Sequence, residues 1–374
     1  MKLSVIIVSY QAVAELELCL WAVCRAIEPI DAEIIVVDNA SPDPHIKTLN
    51  AYFPRVHWIW NTLNKGFGAA CNEAAQFAAG EYLLFLNPDT IIEKEGLLQA
   101  LQFLEATPEV AALGPYLLNA KGKFLKEARR GFPTPWNCFC KIAGLDHLLP
   151  HSRWLAGYYA GHIPISHPQP AEVLCGACMM LRREAWHAVH GFDEDYFLYG
   201  EDTDLCLRLY QQGYLSYFFP NWKVLHFKYR STGTHPGKHR YYFFKAMKIY
   251  VQKHFSHAQW YLCPAIDGVY CLSRFSQKFQ QQVKNLQPSG KYLYIGRDTN
   301  RILTEKYPAI EWQNACLSSL HAWSSIQLEK NIAAVVLNIQ DFAIADCFQW
   351  LKQAAAEGVP IALLTPYSQR LIWI

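Results

Sequence analysis

The first 110 residues alternate between short apolar runs and stretches whose apolar residues have helical spacing. The runs are rich in Val, Ile, Leu and aromatic residues, as in strands buried on both faces; they are "KLSVIIVSY", "AEIIVVDNAS", "VHWIWN" and "EYLLFLNPD". After the first run, Leu16, Leu20, Val23 and Ile27 recur every three or four residues, which predicts one helix. Strand, helix and strand in such close succession form a βαβ unit, so we expect an α/β fold with a mostly parallel sheet flanked by helices.

The pattern changes twice further along the chain. Residues 130–170 are rich in Pro, His and aromatic residues without a period, so we expect a long excursion over the sheet edge. Regular structure returns with a strand and helix in "EVLCGACMMLRREAW", a strand in "KVLHF" and a helix at 240–258. After a break at 287–290, "KYLYIG", "AAVVLNI" and "PIALLT" predict three strands of a small α/β unit, in which we find no catalytic constellation.

Composition indicates an ordinary globular protein, with 18% charged residues and a formal net charge of +2 over 374 residues. The 12 cysteines are scattered through apolar stretches, as expected of small core residues in a reduced, cytoplasmic protein. The "CGAC" at 175–178 has no second CxxC after it, which argues against a zinc site. The apolar run at the N-terminus is too short for a signal peptide, and no run of 18 apolar residues predicts a membrane-spanning helix.

The charges are unevenly distributed, because residues 205–266 contain many Lys and Arg but no Asp or Glu. Within this segment, the predicted helix at 240–258 is basic and amphipathic. Its expected apolar face consists of Phe243 or Phe244, Met247, Val251 and Phe255. The helix either rests on an anionic membrane leaflet or packs this face on the rest of the protein, and the sequence leaves both open.

Polar side chains end four consecutive predicted strands. In order they are Ser9, Asp38, Asn61 with Asn64, and Asn87 with Asp89. Each alone is explained equally well as a turn former, but in an open parallel sheet these strand ends meet in one crevice, where ligands bind. "NKGFGAACN" at 64–72 then opens a helix with two glycines, which lets backbone N–H groups approach a phosphate. A carboxylate at Asp89 suits a divalent cation that bridges phosphates, the alternative being a simple turn after Pro88.

The stretch "YFLYGEDTDLCLRLY" at 196–210 contains three acids at the expected start of a helix, where the helix dipole favours negative charge. The three acids differ in their spacing from the residues that follow them in the sequence. Asp204 stands four residues before Arg208, which predicts a solvated face with an ion pair. Asp202 precedes apolar residues by three, four and seven positions, so it points toward the sheet and is a candidate general base, with Glu201 in a supporting role. His226 follows a strand and, together with Asp89, would form a cation site.

The order of these motifs resembles glycosyltransferase family 2, whose members have the GT-A nucleotide-diphospho-sugar transferase fold, and most of all its rhamnosyltransferase-like branch. The matching pieces are "SVIIVSY", "VVDNAS", "NKGFGAACN", "FLNPDT", "GACMMLRRE", "GFDEDYFLYGEDTDLCLRLYQQGY" and "VLHF", and they span residues 3–232. The resemblance implies a GT-A catalytic domain at 1–240. The sequence pattern beyond it predicts an amphipathic helical segment at 241–287 and a small α/β domain of unknown role at 288–374.

The resemblance also implies roles for individual residues. On the donor side, Ser9 and Asp38 would hold the nucleobase and ribose, while Asn64 and Gly66 would line the diphosphate and sugar. The Asp-x-Asp motif of the family appears as Asn87-Pro88-Asp89, so that Asp89 alone would carry its metal contact. His226 would be a further metal ligand. Asp202 would deprotonate the acceptor hydroxyl, and Gly176 and Ala177 would form the floor of the acceptor site.

The chemistry implied is an inverting transfer, a single displacement at the anomeric carbon that needs one base opposite the leaving group and a cation on the leaving diphosphate. Oxygen ligands with one imidazole suit Mn²⁺ or Mg²⁺. The donor would be a nucleotide-diphospho-sugar, with rhamnose favoured by the branch, and the acceptor a glycan or lipid-linked hydroxyl rather than a nucleic acid. The alternatives are a non-catalytic nucleotide-sugar-binding scaffold and a sugar-1-phosphate nucleotidyltransferase; "SYQAVAELELCL" lacks the glycine-rich basic loop that the latter resemblance would require.

Overall fold

The computed structural model describes residues 1–228, 236–276, 291–296, 301–308, 310–316, 332–358 and 360–373. The strands are β1 (Leu3–Ser9), β2 (Ala32–Asp38), β3 (Val56–Trp60), β4 (Tyr82–Leu86), β5 (Thr90–Ile92), β6 (Val110–Leu118), β7 (Arg129–Arg130), β8 (Gln169–Pro170), β9 (Val173–Leu174), β10 (Cys178–Arg182), β11 (Leu215–His226), β12 (Lys291–Gly296), β13 (Glu311–Cys316), β14 (Ile332–Leu337), β15 (Ile361–Leu364) and β16 (Leu371–Trp373). The α-helices are α1 (Val13–Ala26), α2 (Leu49–Tyr52), α3 (Phe67–Ala75), α4 (Lys94–Ala106), α5 (Pro135–Ile142), α6 (Leu145–Leu148), α7 (Arg183–Ala188), α8 (Glu201–Gln211), α9 (Pro236–His254), α10 (Gln259–Ser276), α11 (Arg301–Lys306) and α12 (Ile344–Ala354).

A mixed sheet in the order β3-β2-β1-β4-β10-β6-β11-β5 forms the centre of the molecule. The strands β3, β2, β1 and β4 are parallel, as their continuous apolar runs predict. The strand β10 then runs antiparallel to both β4 and β6, and β11 is parallel to β6. The sequence pattern did not indicate β6 as a strand. The predicted stripe on α1 is confirmed, with Leu16, Leu20 and Val23 fully buried.

Strand pairing brings distant motifs together at one edge of this sheet. Asn87 follows the end of β4, and its backbone N–H donates to the carbonyl of Ala177, just before β10, at 2.9 Å. The chain then turns into β5, which pairs antiparallel with the end of β11, where His226 lies opposite Thr90. Asp89 therefore lies beside His226 although 137 positions separate them in the chain. The edge of the sheet at which β1, β2 and β4 end thus also holds polar groups from the segments around β5, β10 and β11.

The aperiodic segment at 130–170 does cross the sheet edge, and it contains the short helices α5 and α6. It is tied to the rest of the molecule by β7, where Arg129 and Arg130 pair with Leu174 and Val173 of β9. This small ladder holds the Arg130 side chain beside the start of α8.

The helix α9 packs on the residues just before α8, and its most deeply buried residues are not the ones that the sequence suggested. Its buried residues are Ala246 and Tyr250, which pack with Tyr196, whereas Phe243 is exposed. The predicted apolar face is confirmed in part, because Phe255 packs against this cluster and the ring of Phe244 lies 5.3 Å from that of Tyr270 on α10. Among the described helices, none is both long and apolar enough to cross a bilayer.

The C-terminal part forms a second sheet in the order β13-β12-β14-β15-β16, with β16 antiparallel to β15. Its three predicted strands are confirmed as β12, β14 and β15; β13 and β16 were not expected. This sheet is joined to α1 by Glu17, a fully buried carboxylate that accepts the backbone N–H groups of Tyr367 and Ser368 at 2.6 and 2.8 Å. The predicted domain boundaries at 240 and 287 stay a prediction.

Candidate active site

A cavity of about 930 Å³ opens at the carboxyl edge of the first sheet. Its lining includes most of the predicted site residues, namely Asn64, Gly66, Asn87, Asp89, Gly176, Ala177, Glu201, Asp202 and His226. Ser9 and Asp38 are not part of this lining. Ser9 is fully buried with no hydrogen-bond partner for its hydroxyl among the described residues. Asp38 accepts the backbone N–H of Ser41 at 3.1 Å, and burial raises its pKa.

Asp89 and His226 lie side by side in the lining of the cavity and are the residues that could hold a cation. The Nε2 atom of His226 lies 3.4 Å from Oδ1 of Asp89. Asp89 is fully buried, and neither of its carboxylate oxygens has a hydrogen-bond partner in the described part of the chain. A buried carboxylate without partners is costly, and a divalent cation would offset that cost. The described residues contain no cluster of three His, Cys, Asp or Glu ligands, so ligands from outside the protein would complete the coordination of a cation held there.

Asp202 lies at the start of α8 and faces the same cavity. Its Oδ2 accepts hydrogen bonds from Arg130 at 2.6 Å and from the backbone N–H of Gly176 at 3.0 Å. Its Oδ1 accepts from the hydroxyl of Thr203 at 3.1 Å. Burial opposes the charge on Arg130, but the adjacent Asp202 carboxylate raises the pKa of the guanidinium, which stays protonated. The pair fixes the orientation of the Asp202 carboxylate.

The sequence did not reveal Arg130 as a site residue. It lies in a segment without periodicity, 72 positions before Asp202, and only the β7–β9 pairing brings it close. Only the family resemblance pointed to Gly176, and the structure gives a physical reason for a glycine at this position. A Cβ at position 176 would lie 3.2 Å from the Cβ of Asp202, so a side chain there would crowd the carboxylate.

Glu201 differs from its neighbour Asp202 in environment. It is buried against α3, lines the cavity, and its Oε2 has no hydrogen-bond partner among the described residues. Burial, and then repulsion from Asp202, raise the pKa of Glu201 to about 8. At neutral pH Glu201 therefore holds a proton and can donate a hydrogen bond.

Asp204 corrects one expectation. Its ion pair with Arg208 is confirmed, with Nε 2.7 Å from Oδ2, but its predicted solvated face is wrong. Asp204 is 1% exposed, because α9 covers this side of α8 and places Nε2 of His254 2.7 Å from Oδ1. Burial works to raise the pKa of Asp204, but the bond with His254 and the Arg208 charge outweigh it and hold the pKa below its usual range.

Part of the cavity lining is a network centred on Asn39, which the sequence analysis did not single out. Its Nδ2 donates to Oδ1 of Asn64 at 2.9 Å and to the carbonyl of Gly66 at 3.0 Å. Oδ1 of Asn64 also accepts the backbone N–H of Gly66 at 2.9 Å. Gly66 has φ +89, and a Cβ there would lie 2.5 Å from the carbonyl oxygen of Phe197. The glycine is therefore required both by its conformation and by close backbone approach.

Cationic and aromatic side chains also line the cavity. Lys141 lies 3.6 Å from the ring centroid of Tyr158, which also lines the cavity. Lys228 forms an ion pair with Glu127 at 2.7 Å. From α9, Lys238 and other basic residues reach the lining. This distribution favours an anionic ligand.

Comparisons with known proteins agree with this geometry. Residues 4–189 match the family described as "Glycosyl transferase family 2", and residues 161–230 match one described as "N-terminal domain of galactosyltransferase". The chain is 30% identical over 279 residues to "N-acetylglucosaminyl-diphospho-decaprenol L-rhamnosyltransferase" of Mycobacterium tuberculosis, covering 70% of this chain and 87% of that one. It is 26% identical over 200 residues to "Rhamnosyltransferase WbbL" of Escherichia coli K12, covering 51% and 69%.

Among solved structures, GalNAc-T7 with UDP, GalNAc and Mn²⁺ aligns with a TM-score of 0.49 at 15% identity, covering 67% of this chain and 47% of that one. The sequence matches show that the chain belongs to glycosyltransferase family 2 and resembles its rhamnosyltransferases. The predicted family and GT-A fold are confirmed. The chain is accordingly a glycosyltransferase, and nucleotide-sugar transfer is the activity that its family supports.

Proposed function

We propose that the cavity binds a nucleotide-diphospho-sugar with Mn²⁺ or Mg²⁺ and transfers the sugar, with inversion, to a hydroxyl of a glycan or lipid-linked acceptor. One observation carries this proposal: the unpartnered carboxylate of Asp89, beside His226, lies in the same cavity as the oriented carboxylate of Asp202. A cation site and a base that line one cavity are the two parts that an in-line displacement requires.

Different residues would have different roles in this transfer. Asp89 and His226 would hold the cation, which neutralises charge on the leaving diphosphate. The network of Asn39, Asn64 and Gly66 would position the donor, with Ser9 and Asp38 on the side of the nucleobase and ribose and Asn87 near the phosphates. Asp202 takes the proton of the acceptor hydroxyl as its oxygen bonds to the anomeric carbon and the bond to the nucleoside diphosphate breaks.

Three further groups support the acceptor side. Arg130 and the N–H of Gly176 keep the Asp202 carboxylate turned toward the cavity. Gly176 and Ala177 leave room for the acceptor, because neither places a long side chain in front of Asp202. Glu201, protonated at neutral pH, would donate a hydrogen bond to a sugar oxygen.

The relatives suggest the classes of donor and acceptor. The Mycobacterium tuberculosis relative is named for transferring L-rhamnose to a diphosphate-linked polyprenol carrier. We propose a deoxyhexose donor of the rhamnose type and an acceptor linked to a lipid diphosphate, for which the basic lining of the cavity is suited. A cytoplasmic location at the inner face of a membrane is part of this proposal.

A donor screen tests the proposal directly. Purified protein is incubated with Mn²⁺, an acceptor and a panel of nucleotide sugars, and release of nucleoside diphosphate is followed. We expect one donor to be consumed only in the presence of acceptor, and the anomeric configuration of the product, read by NMR, to be inverted. Binding of nucleoside diphosphate and metal without turnover for any donor would instead indicate a non-catalytic scaffold.

Two substitutions assign the roles. Asp202→Asn should reduce kcat by about 10³-fold or more with donor binding nearly unchanged, because it removes the proton acceptor and keeps the shape. Asp89→Ala should weaken metal-dependent binding of nucleoside diphosphate in calorimetry. A near-normal rate for Asp202→Asn, or unchanged metal dependence for Asp89→Ala, would remove the respective residue from the mechanism.

A further inference from the structure

A group of large apolar side chains is exposed to solvent next to the cavity. We call it the hairpin patch, and it consists of Trp136, Phe139, Ile142, Leu148, Leu149 and Trp154. Their exposed fractions run from 49% for Trp136 to 77% for Trp154. Single exposed apolar residues are common on protein surfaces, but a contiguous patch marks an interaction surface.

Three residues of the hairpin patch are in direct contact, and α5 lies against α6, which carries Leu148. The rings of Trp136 and Phe139 lie 5.8 Å apart, and the indole N–H of Trp136 donates to the carbonyl of Trp154 at 2.9 Å. The helix α5 begins at a capped end, where the hydroxyl of Thr134 accepts the N–H of Asn137. These contacts fix the apolar side chains outward rather than leaving them on a loose loop.

The amphipathicity of α5 is inverted. A surface helix ordinarily turns its apolar stripe toward the core and its polar residues outward. In α5 the residues spaced by three, Trp136, Phe139 and Ile142, are the exposed ones. The inward side carries Cys140, which is buried, and Asn137, whose amide donates to the carbonyl of Phe132. Exposure of this apolar face to water costs free energy, and contact with an apolar partner surface would remove that cost.

The charge around the hairpin patch identifies the kind of surface. Between positions 131 and 171 Asp146 is the one acidic residue, and its side chain is buried. The same stretch contains Lys141 and Arg153, with His147 and His151. Apolar side chains that include two Trp, beside basic residues and without an exposed carboxylate, are complementary to the interfacial region of an anionic lipid leaflet.

The hairpin patch adjoins the acceptor side of the cavity. Lys141 lies on α5 between patch residues and lines the cavity together with Tyr158 and Tyr159. Arg130, which holds Asp202, precedes α5 by a few residues. We infer that the hairpin patch inserts into an anionic membrane leaflet and presents the cavity to an acceptor whose lipid part stays in that leaflet. The acceptor half of this inference depends on the proposed function; the membrane contact does not.

This assignment moves the membrane contact away from the helix that the sequence suggested. The apolar residues of α9 that are buried, Ala246 and Tyr250, pack on Tyr196 and have no free face for lipid. The hairpin patch exposes more large apolar side chains to solvent than α9 does.

Vesicle flotation with the full-length protein tests the membrane contact. Vesicles of phosphatidylcholine alone and with phosphatidylglycerol are compared at low and high salt. We expect binding to the anionic vesicles, and at least a tenfold lower partition coefficient for the variant Phe139→Ser/Leu148→Ser/Trp154→Ser. The matched control, Leu63→Ser/Trp260→Ser/Tyr261→Ser, removes exposed apolar side chains elsewhere and should bind as the wild type does. Thermal unfolding of both variants shows that each is folded.

The outcomes separate the possibilities. Equal vesicle binding by the patch variant and the wild type, or no binding by the wild type, overturns the inference. A wild-type dimer that the patch variant converts to monomer in sedimentation, without vesicle binding, assigns the patch to contact between copies and also overturns it.

Activity distinguishes this inference from the proposed function. The patch variant should lose at least tenfold activity toward a lipid-linked acceptor in vesicles and keep the wild-type rate with a water-soluble acceptor that lacks the lipid. Wild-type vesicle binding through the patch without any sugar transfer would refute the proposed function and leave the membrane contact standing. Transfer with equal loss on both acceptors would refute the membrane role and leave the function standing.

Discussion

Glu201 offers the sharpest quantitative test of the site, because its buried carboxyl is predicted to be neutral at physiological pH. Burial and the neighbouring Asp202 raise its pKa from 4.5 to about 8. The folded state therefore binds a proton more tightly than the unfolded state does. The stability associated with this group is fully present below about pH 4.5 and is lost as the pH rises toward 8, by at most about 1.4 kcal/mol per pH unit.

Replacing Glu201 by Gln removes this titration and retains a hydrogen-bond donor of similar shape. Relative to the wild type, Glu201→Gln should gain stability steadily as the pH rises from 5.5 to 7.5, by at most about 3 kcal/mol over the interval. Urea unfolding at pH 5.5, 6.5 and 7.5 measures the difference. The control is Glu95→Gln, an exposed glutamate in the first turn of α4, which should show no trend with pH.

The same substitution tests whether Glu201 acts as a hydrogen-bond donor to the substrate. If the neutral carboxyl of Glu201 donates a hydrogen bond to a sugar oxygen, the wild-type kcat/KM should decline as the pH rises through 8, and Glu201→Gln should lack this decline. Parallel stability curves for Glu201→Gln and the wild type would show that Glu201 is ionised in the folded protein. The assignment of a neutral carboxyl to Glu201 would then be wrong.

Three further substitutions test other contacts. Arg130→Met should lower kcat at least tenfold and leave the KM for the sugar donor within threefold of the wild type, because the carboxylate of Asp202 is no longer held in place. Arg130→Lys should partly restore kcat. A rise in the donor KM alone would contradict a positioning role. Gly66→Ala should destabilise the protein by about 1–3 kcal/mol, because residue 66 has a positive φ and a Cβ there would contact the carbonyl of Phe197. Thermal unfolding should show this loss, and nucleotide binding should weaken. An unchanged Tm would show that the loop relaxes freely. Glu17→Ala should cost about 1–3 kcal/mol because it leaves two backbone N–H groups of the C-terminal unit unpaired, and limited proteolysis should then cut that unit faster; an unchanged cleavage pattern would mean that other contacts hold the unit in place.

Local pattern was enough to predict the parallel half of the sheet. The strands β1, β2 and β4 are continuous apolar runs because both of their faces are covered, and the stripe on α1 repeats with the helix period. The polar residue after each run follows from the same logic, since the chain must leave the core there. The ordered motifs were therefore sufficient to indicate the family and to place Asp89 and Asp202 in the site.

Only the tertiary structure decided which groups surround these residues. The pairing of Arg130 with Asp202 depends on β7 and β9, two-residue strands too short to leave any period in the sequence. The burial of Asp204 depends on His254, which arrives on α9 from 50 positions away. Hydrophobic periodicity reports which face of an element is covered, but not which distant element covers it, because that choice is made by packing between segments.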